Sequence, residues 1–232
     1  MKKVIVFFFS CILTSSLTMA QENRANPYDF VVQLHNQILE ESLKLGNKST
    51  NEIPETVENI ALANADFANR CPNYSKNAEL VKGIIKTGIN DYNNNFRNAI
   101  SQLNISSDAK VYSQKLVDYM FAGGISSNPP TYEDFNTFVI NLEQEVTSNS
   151  KLTELDKQTI LCGTSTARYS GAFWSRQQGD AAARRPWWNW LVIGVCDVGG
   201  AIAGAAVNPG VAVTAGAAAS VAANTLTNPS NK

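Results

Sequence analysis

The feature that most constrains the fold is a carboxy-terminal stretch that is almost without charge. Residues 187–232 contain only two charged side chains, Asp197 and Lys232, although 17% of the whole chain is charged. A run of small and apolar residues this long is uncommon on the surface of a soluble protein. We therefore expect the stretch to pack on itself, on another part of the chain, on a partner or in a membrane.

A turn divides this stretch into two apolar segments, 187–207 and 211–226. The turn is Asn208-Pro209-Gly210, a combination of residues that is typical of helix-to-helix connections. The pattern predicts a Gly/Ala-rich helical hairpin over residues 187–228.

Small residues recur at helical spacing in both halves of the predicted hairpin. Gly200 and Gly204 form a G-x-x-x-G pattern, and Gly216 lies midway between Ala212 and Ser220 at steps of four. Such stripes allow two helix backbones to approach closely, because no side chain holds them apart. The spacing indicates a glycine zipper, with Gly200, Gly204 and Gly216 as helix-packing positions.

The sequence leaves the environment of the hairpin open. In a membrane, Trp187, Trp188 and Trp190 would lie at the interface, and the 21 residues of 187–207 are long enough to span it. Against this, Asp197 near the middle would cost about 2.5–3.5 kcal/mol on insertion scales. In the alternative, the hairpin is a tightly packed element of a helical bundle, with Asp197 at a polar seam.

The residues before the hairpin predict a helical domain over residues 21–180. Apolar residues recur at helical spacing from Tyr28 to Leu45, from Pro54 to Arg70 and from Lys76 to about Tyr92. Further helices are predicted from Ser107 to Gly123 and after Thr131 and Thr153, each of which begins a capping box with the aspartate three residues later. No alternating strand pattern competes with these helices. We expect an all-α protein, a bundle of about six helices plus the hairpin.

Residues 1–20 predict a signal peptide. Met1-Lys2-Lys3 is positively charged, an apolar run continues to Leu13, and Thr18-Met19-Ala20 places small residues for cleavage before Gln21. The apolar run is shorter than the roughly 20 residues that span a bilayer, which favours a cleaved signal over an anchor. We expect a bacterial protein that is exported to the periplasm, the cell surface or the medium.

Three cysteines remain after the predicted cleavage: Cys71, Cys162 and Cys196. Outside the cytoplasm at most one pair of them can form an intrachain disulfide, and the sequence does not choose among the three pairings. One structural disulfide with one buried thiol is favoured over a reactive thiol, since no nucleophile signature surrounds any of the three.

Motifs that would indicate an enzyme are absent from the sequence. There is no G-x-S-x-G, phosphate-binding loop, H-E-x-x-H or C-x-x-C, and His35 is the only histidine. A net charge of −1 with a pI of about 5.9 gives no basic patch for nucleic acid. We expect no cofactor, metal or catalytic residue; the closest carboxylate groupings are Glu40-Glu41, Glu133-Asp134 and Glu143 with Glu145.

Two short motifs carry a resemblance to a family. Asn26-Pro27-Tyr28-Asp29 is followed by Leu34-His35-Asn36, and the Gly/Ala-rich segment begins near Asp197. In these two regions the chain resembles small exported proteins of the Bacteroidota that have no established activity. The resemblance implies an exported location and no particular reaction.

Together these observations predict an exported, non-enzymatic helical protein. Its small-residue hairpin would act on a membrane, in the manner of a bacteriocin, or on a protein partner. The alternative is a periplasmic or surface enzyme or ligand binder whose site no motif reveals.

Overall fold

The residues that the structure describes fold mainly into helices. The computed structural model describes residues 23–46, 49–125, 130–177 and 191–227, and within these ranges there is no strand, so the predicted all-α class is confirmed. The helices are α1 (Asp29–Lys44), α2 (Ile53–Ala63), α3 (Ala65–Arg70), α4 (Ala78–Asp91), α5 (Arg97–Ser101), α6 (Ser107–Ile125), α7 (Tyr132–Ser148), α8 (Glu154–Gln177), α9 (Leu191–Ala205) and α10 (Pro209–Thr227), with a 3-10 turn at Tyr92–Asn94.

Two helices begin at the capping boxes that the sequence predicts. At α7 the Asp134 backbone N–H donates to the Thr131 hydroxyl at 3.1 Å, and the Thr131 N–H donates to the Asp134 carboxylate. Thr153 and Asp156 repeat the arrangement at α8, with both contacts near 3 Å. Each box satisfies backbone donors that a helix start otherwise leaves unpaired.

The predicted count of about six helices in the body is too low. The described residues before 178 contain eight α-helices, partly because the helix predicted from Pro54 to Arg70 is two helices. Asn64 has an extended backbone, which ends α2, and its side chain accepts a hydrogen bond from the Phe67 N–H, which caps α3. Asparagine competes with the helical backbone in this way and favours caps over helix interiors.

α6 also differs from the prediction, because it continues past Gly123 and ends at Ile125. A helical glycine costs up to about 1 kcal/mol relative to alanine. The apolar face of α6, with Leu116, Val117 and Met120 buried, outweighs that cost.

The connection between α4 and α5 directs an aromatic side chain into the core. Asn95 and Phe96 both have positive φ, 51° and 56°, and Phe96 is buried. Positive φ is unusual for a bulky residue. The Phe96 ring fills space that Gly88 and Gly199 leave, since a Cβ on Gly199 would lie 2.5 Å from the ring. Packing against α9 therefore holds this turn.

α9 and α10 form the centre of the molecule. They are joined by three residues and run antiparallel, with Gly200 beside Ala215 and Gly204 beside Val211. α8 packs along α9, and α1 packs along α10. α10 is also covered by α2 and α4, and α9 is also covered by α4 and α6. α7 lies outside these, on α8. The core is thus built around two described helices that together carry one charged side chain.

Candidate functional site

The backbones of α9 and α10 are in direct contact at two glycines. A Cβ atom on Gly200 would lie 2.6 Å from the Ala215 carbonyl oxygen, and one on Gly204 would lie 2.4 Å from the Val211 carbonyl oxygen. Distances below 3.0 Å leave no room for a side chain. The structure therefore places both glycines in contact with the backbone of the partner helix.

Gly216, the third predicted packing glycine, contacts a different helix. A Cβ at this position would lie 3.0 Å from Cδ2 of His35 on α1 and 3.3 Å from the backbone oxygen of Asp197. Gly216 thus makes room for an imidazole ring at the junction of α1, α9 and α10.

Two further close contacts, at a glycine of α8 and a glycine of α9, were not among the predicted positions. Cβ atoms on Gly163 and Gly199 would each lie 2.5 Å from a neighbouring side chain, Ile202 and Phe96 respectively. Both glycines interrupt apolar helical patterns, which is the signal that could have indicated close packing. With them, α9 is approached closely on the faces toward α8, α10 and the α4–α5 connection.

Asp197 joins three helices inside the core. It is the only charged residue of α9 and α10 and is fully buried. Its carboxylate accepts a hydrogen bond from the Ser170 hydroxyl of α8 at 2.7 Å and another from the Ser220 hydroxyl of α10. A buried carboxylate is tolerated when such donors replace water.

A second buried cluster surrounds Arg168 of α8. Its guanidinium pairs with Asp29 of α1 and donates to Glu143 of α7 at 3.3 Å, while the Tyr169 hydroxyl donates to Asp29 at 3.1 Å. Burial raises the pKa of Asp29, with Arg168 opposing the rise. Burial alone would lower the pKa of Arg168, but Glu143 and Asp29 outweigh it and the pKa is raised. The guanidinium therefore stays charged between two carboxyl groups.

The amino-terminal motif supplies part of this cluster. Asn26 donates to Glu143 at 2.7 Å and to the Leu161 carbonyl at 3.0 Å, and Asn23 donates to the same carboxylate at 2.6 Å. Asn26 and Asp29 are the first and last residues of the Asn-Pro-Tyr-Asp motif. The residues that carry the resemblance therefore bind α1 to α7 and α8.

His35, from the second half of the motif, is completely buried. Its Nδ1 lies 3.0 Å from Oδ1 of Asn36, and its Nε2 has no hydrogen-bond partner within the described residues. Burial lowers the pKa of His35 to about 4, although Asn36 and the Gly216 backbone favour the charged ring. The ring is therefore neutral at physiological pH. The amino-terminal motif and the Gly/Ala-rich segment meet at this residue.

A third polar contact connects α2 to α10. Glu58 of α2 is buried and accepts hydrogen bonds from the Tyr74 hydroxyl and, at 2.7 Å, from the Asn77 N–H. The Tyr74 hydroxyl also lies 3.4 Å from that of Thr214 on α10. Burial and the neighbouring Glu58 carboxylate raise the pKa of Tyr74, so the phenol stays protonated. This group, like the Asp197 and Arg168 clusters, binds the central helices to those around them.

The three cysteines are buried free thiols in this structure. Burial raises the pKa of Cys71 to about 11 and that of Cys196 to about 12, and it raises the pKa of Cys162 further. A nucleophilic cysteine needs a lowered pKa. The environment of these thiols therefore favours a packing role over a reactive one, while disulfide formation in an oxidising compartment stays a prediction.

The predicted carboxylate groupings do not form an acid–base pair in the part of the chain that is described. Glu40 and Glu41 are exposed on α1, and Asp134 serves the capping box of α7. Glu143 lies in the Arg168 cluster, whereas Glu145 pairs with Lys115 at the surface. Across the same residues, no three His, Cys, Asp or Glu side chains could together hold a metal ion.

A surface groove of about 280 Å³ lies between α2 and α4. Its polar side chains are mostly lysine and asparagine, and Lys82 already pairs with Glu79. The groove is lined by Thr50, Asn51, Pro54, Lys82, Ile85, Lys86, Ile89 and Asn90.

Two observations bear on the predicted membrane contact. Trp187, Trp188 and Trp190 lie outside the described residues. Among the residues that are described, no helix has both the length and the apolar character needed to cross a bilayer.

Comparison of the chain with known protein families, with characterised proteins and with solved structures finds no match.

Proposed function

We propose that this chain is an exported, non-enzymatic protein that acts on membranes through α9 and α10, in the manner of a bacteriocin. The observation that carries the proposal is the position of these helices. A pair of helices with one charged residue lies at the centre of the bundle, while the helices around it carry the charge of the molecule. In such an arrangement the surrounding charged helices shield the apolar pair from water until the protein meets a membrane.

The contacts inside the pair fit joint rather than separate insertion. Alanine and glycine provide little hydrophobic driving force, so neither helix is suited to enter a bilayer alone. Small-residue contacts such as Gly200–Ala215 and Gly204–Val211 are the kind that hold helices together in lipid. Ser220 would accompany Asp197 and keep one of its hydrogen bonds within the pair.

The segment before α9 would supply the interfacial contacts. Trp187, Trp188 and Trp190 follow Arg184 and Arg185, and this combination of residues favours the boundary between lipid headgroups and acyl chains. The connection between α9 and α10 would then be the part that enters the bilayer.

The tip of the pair offers a sharp test. Val207 is 50% exposed in the α9–α10 connection, and Val111 is 67% exposed on α6, so a charge at either position leaves the core intact. We expect the chain beginning at Gln21 to release dye from vesicles of phosphatidylethanolamine and phosphatidylglycerol. Val207→Asp should slow release by about tenfold or more, since a charged tip must enter lipid.

Val111→Asp is the matched control and should release dye at the wild-type rate. Equal rates for the two variants, or absence of vesicle binding by the wild-type chain between pH 4 and pH 7, would contradict the proposal.

Export is part of the same proposal. Mass spectrometry of the protein recovered from its source cells should give an amino terminus at Gln21. A diacylglyceryl group on Cys11 would indicate a lipoprotein instead.

A further inference from the structure

We propose that His35 is an acid-sensitive latch, whose protonation loosens α1 from the α9–α10 pair and so prepares the pair for release. The inference rests on the proposed function for its consequence at a membrane. The latch itself concerns the stability of the fold in water and can be tested apart from membranes.

The geometry that carries the inference is an imidazole held in a three-helix junction. The His35 ring is fully buried on α1 and contacts α10 at Gly216, where a Cβ would lie 3.0 Å from Cδ2. Its Nδ1 contacts Asn36, and its Nε2 makes no hydrogen bond of regular geometry among the described residues. Asn36 and the Gly216 backbone offset only part of the cost of burying a charged ring. A proton added to this ring would create a buried cation beside helices packed backbone to backbone.

No carboxylate is among the groups that raise the pKa of His35, so none is close enough to neutralise that cation. α1 packs against α2, α8 and α10, and α9 reaches the junction through Asp197. The buried carboxylates on these elements accept hydrogen bonds from other groups, although Oε2 of Glu58 has no partner among the described residues. α8 also brings a buried thiol and a positive charge. On α2, Glu58 is bonded to Tyr74 and Asn77, and on α9, Asp197 is bonded to Ser170 and Ser220. Asp29 on α1 itself is paired with Arg168 of α8, the helix that also carries Cys162. α10 has no titratable side chain.

The direction of the pH effect follows from the proton balance. An exposed histidine takes up a proton near pH 6.5, whereas burial lowers the pKa of His35 to about 4. Between these values the unfolded chain holds one proton more than the native chain, so acid favours unfolding. The unfolding equilibrium constant should rise about tenfold per pH unit, or about 300-fold in total.

Asp29 acts in the opposite direction. Burial raises its pKa, so the native chain accepts that proton more readily than the unfolded chain does. Acid therefore stabilises the fold through Asp29, and comparison with a His35 variant is needed to isolate the latch.

The test combines two measurements. Because His35 is the only histidine, its imidazole gives a single NMR signal in a chain that begins at Gln21 and carries no affinity tag. We expect that signal to stay at the neutral-ring position in the native protein down to about pH 5. A native-state midpoint near pH 6.5 would overturn the proposal, even if a variant failed to fold.

The second measurement is urea unfolding from pH 7 to pH 4.5 for wild type and His35→Gln. The difference in unfolding constant between the two should change by up to about 100-fold over this range. An identical pH dependence in both proteins would overturn the latch.

Dye release from the vesicles described above separates the two proposals. Release that rises with acid in wild type but not in His35→Gln supports both. If the latch passes the NMR and unfolding tests but no release occurs at any pH, the membrane function is wrong and the latch stands. Release that is independent of pH and of His35 supports the membrane function and contradicts the latch.

Discussion

The α-carbon of Gly204 lies against the backbone of Val211, so closely that a Cβ atom on Gly204 would be 2.4 Å from the Val211 carbonyl oxygen. The obstacle is backbone, which cannot rotate away as a side chain can. The spacing of α9 and α10 therefore depends on the absence of a single methyl group.

Gly204→Ala should lower the free energy of unfolding by about 1–3 kcal/mol, because the added methyl group forces the two helices apart. Gly83 on α4 is the matched control, since nothing lies within 4 Å of the position of its Cβ. Gly83→Ala should stabilise the protein by up to about 1 kcal/mol through helix propensity. Urea denaturation measures both, and equal effects of the two substitutions would show that the helices are not in contact.

Arg168→Met should be strongly destabilising, because it leaves Asp29 and Glu143 buried without their cation. Removing one partner of a buried ion pair costs about 3–5 kcal/mol. Arg97 pairs with Asp118 at 2.8 Å, but both side chains are substantially exposed, so Arg97→Met should cost less than about 1 kcal/mol. Denaturation curves that place the two variants within about 1 kcal/mol of each other would contradict the assigned role of the buried cluster.

Asp197→Asn should increase membrane activity. The substitution keeps the size of the side chain but removes the charge, which costs about 2.5–3.5 kcal/mol at the centre of an inserted helix. Dye release should therefore be faster than in wild type, whereas Glu40→Gln, at an exposed surface ion pair, should have no effect. Slower release by a folded Asp197→Asn protein would show that the carboxylate is needed for activity.

The cysteines should be unreactive in the native protein. Since burial raises the pKa of all three thiols, the thiolate fraction at pH 8 is small and poorly accessible. A thiol reagent such as Ellman's reagent should label none of them before unfolding. In denaturant it should label three in the reduced chain, or one if two of the three have formed a disulfide. Rapid labelling of any one cysteine in the native protein would indicate a reactive thiol.

The body of the fold was predictable where the sequence carries local signals. The helix starts at Thr131 and Thr153 follow from capping boxes, and α1 begins and ends within one residue of its predicted bounds. The break at Asn64 was missed, because asparagine also occurs inside helices and only its extended backbone distinguishes the two cases. The predicted number of helices is therefore too low wherever a helix cap lies inside one continuous apolar pattern.

The candidate site was predictable only in part. The small-residue spacing identifies Gly200 and Gly204 as positions suited to close packing, but their partners lie on another helix and cannot be inferred from spacing. The Arg168 cluster contains hydrogen bonds between residues up to 140 positions apart, and neither Asp29 nor Glu143 has a sequence signal that predicts burial. The motif Leu34-His35-Asn36 marks His35 in the sequence, but its contact with Gly216 follows from the packing of α1 on α10.

Hydrogen exchange followed by mass spectrometry tests most directly whether α9 and α10 separate from the helices that cover them. In water, the amides of α9 and α10 should exchange slowest, because α1, α2, α4, α6 and α8 cover them. With phosphatidylglycerol vesicles at pH 4.5, we expect α9 and α10 to stay protected while α1, α2 and α4 exchange much faster. Retention or loss of protection by all of these helices together would contradict the release of a membrane-active pair.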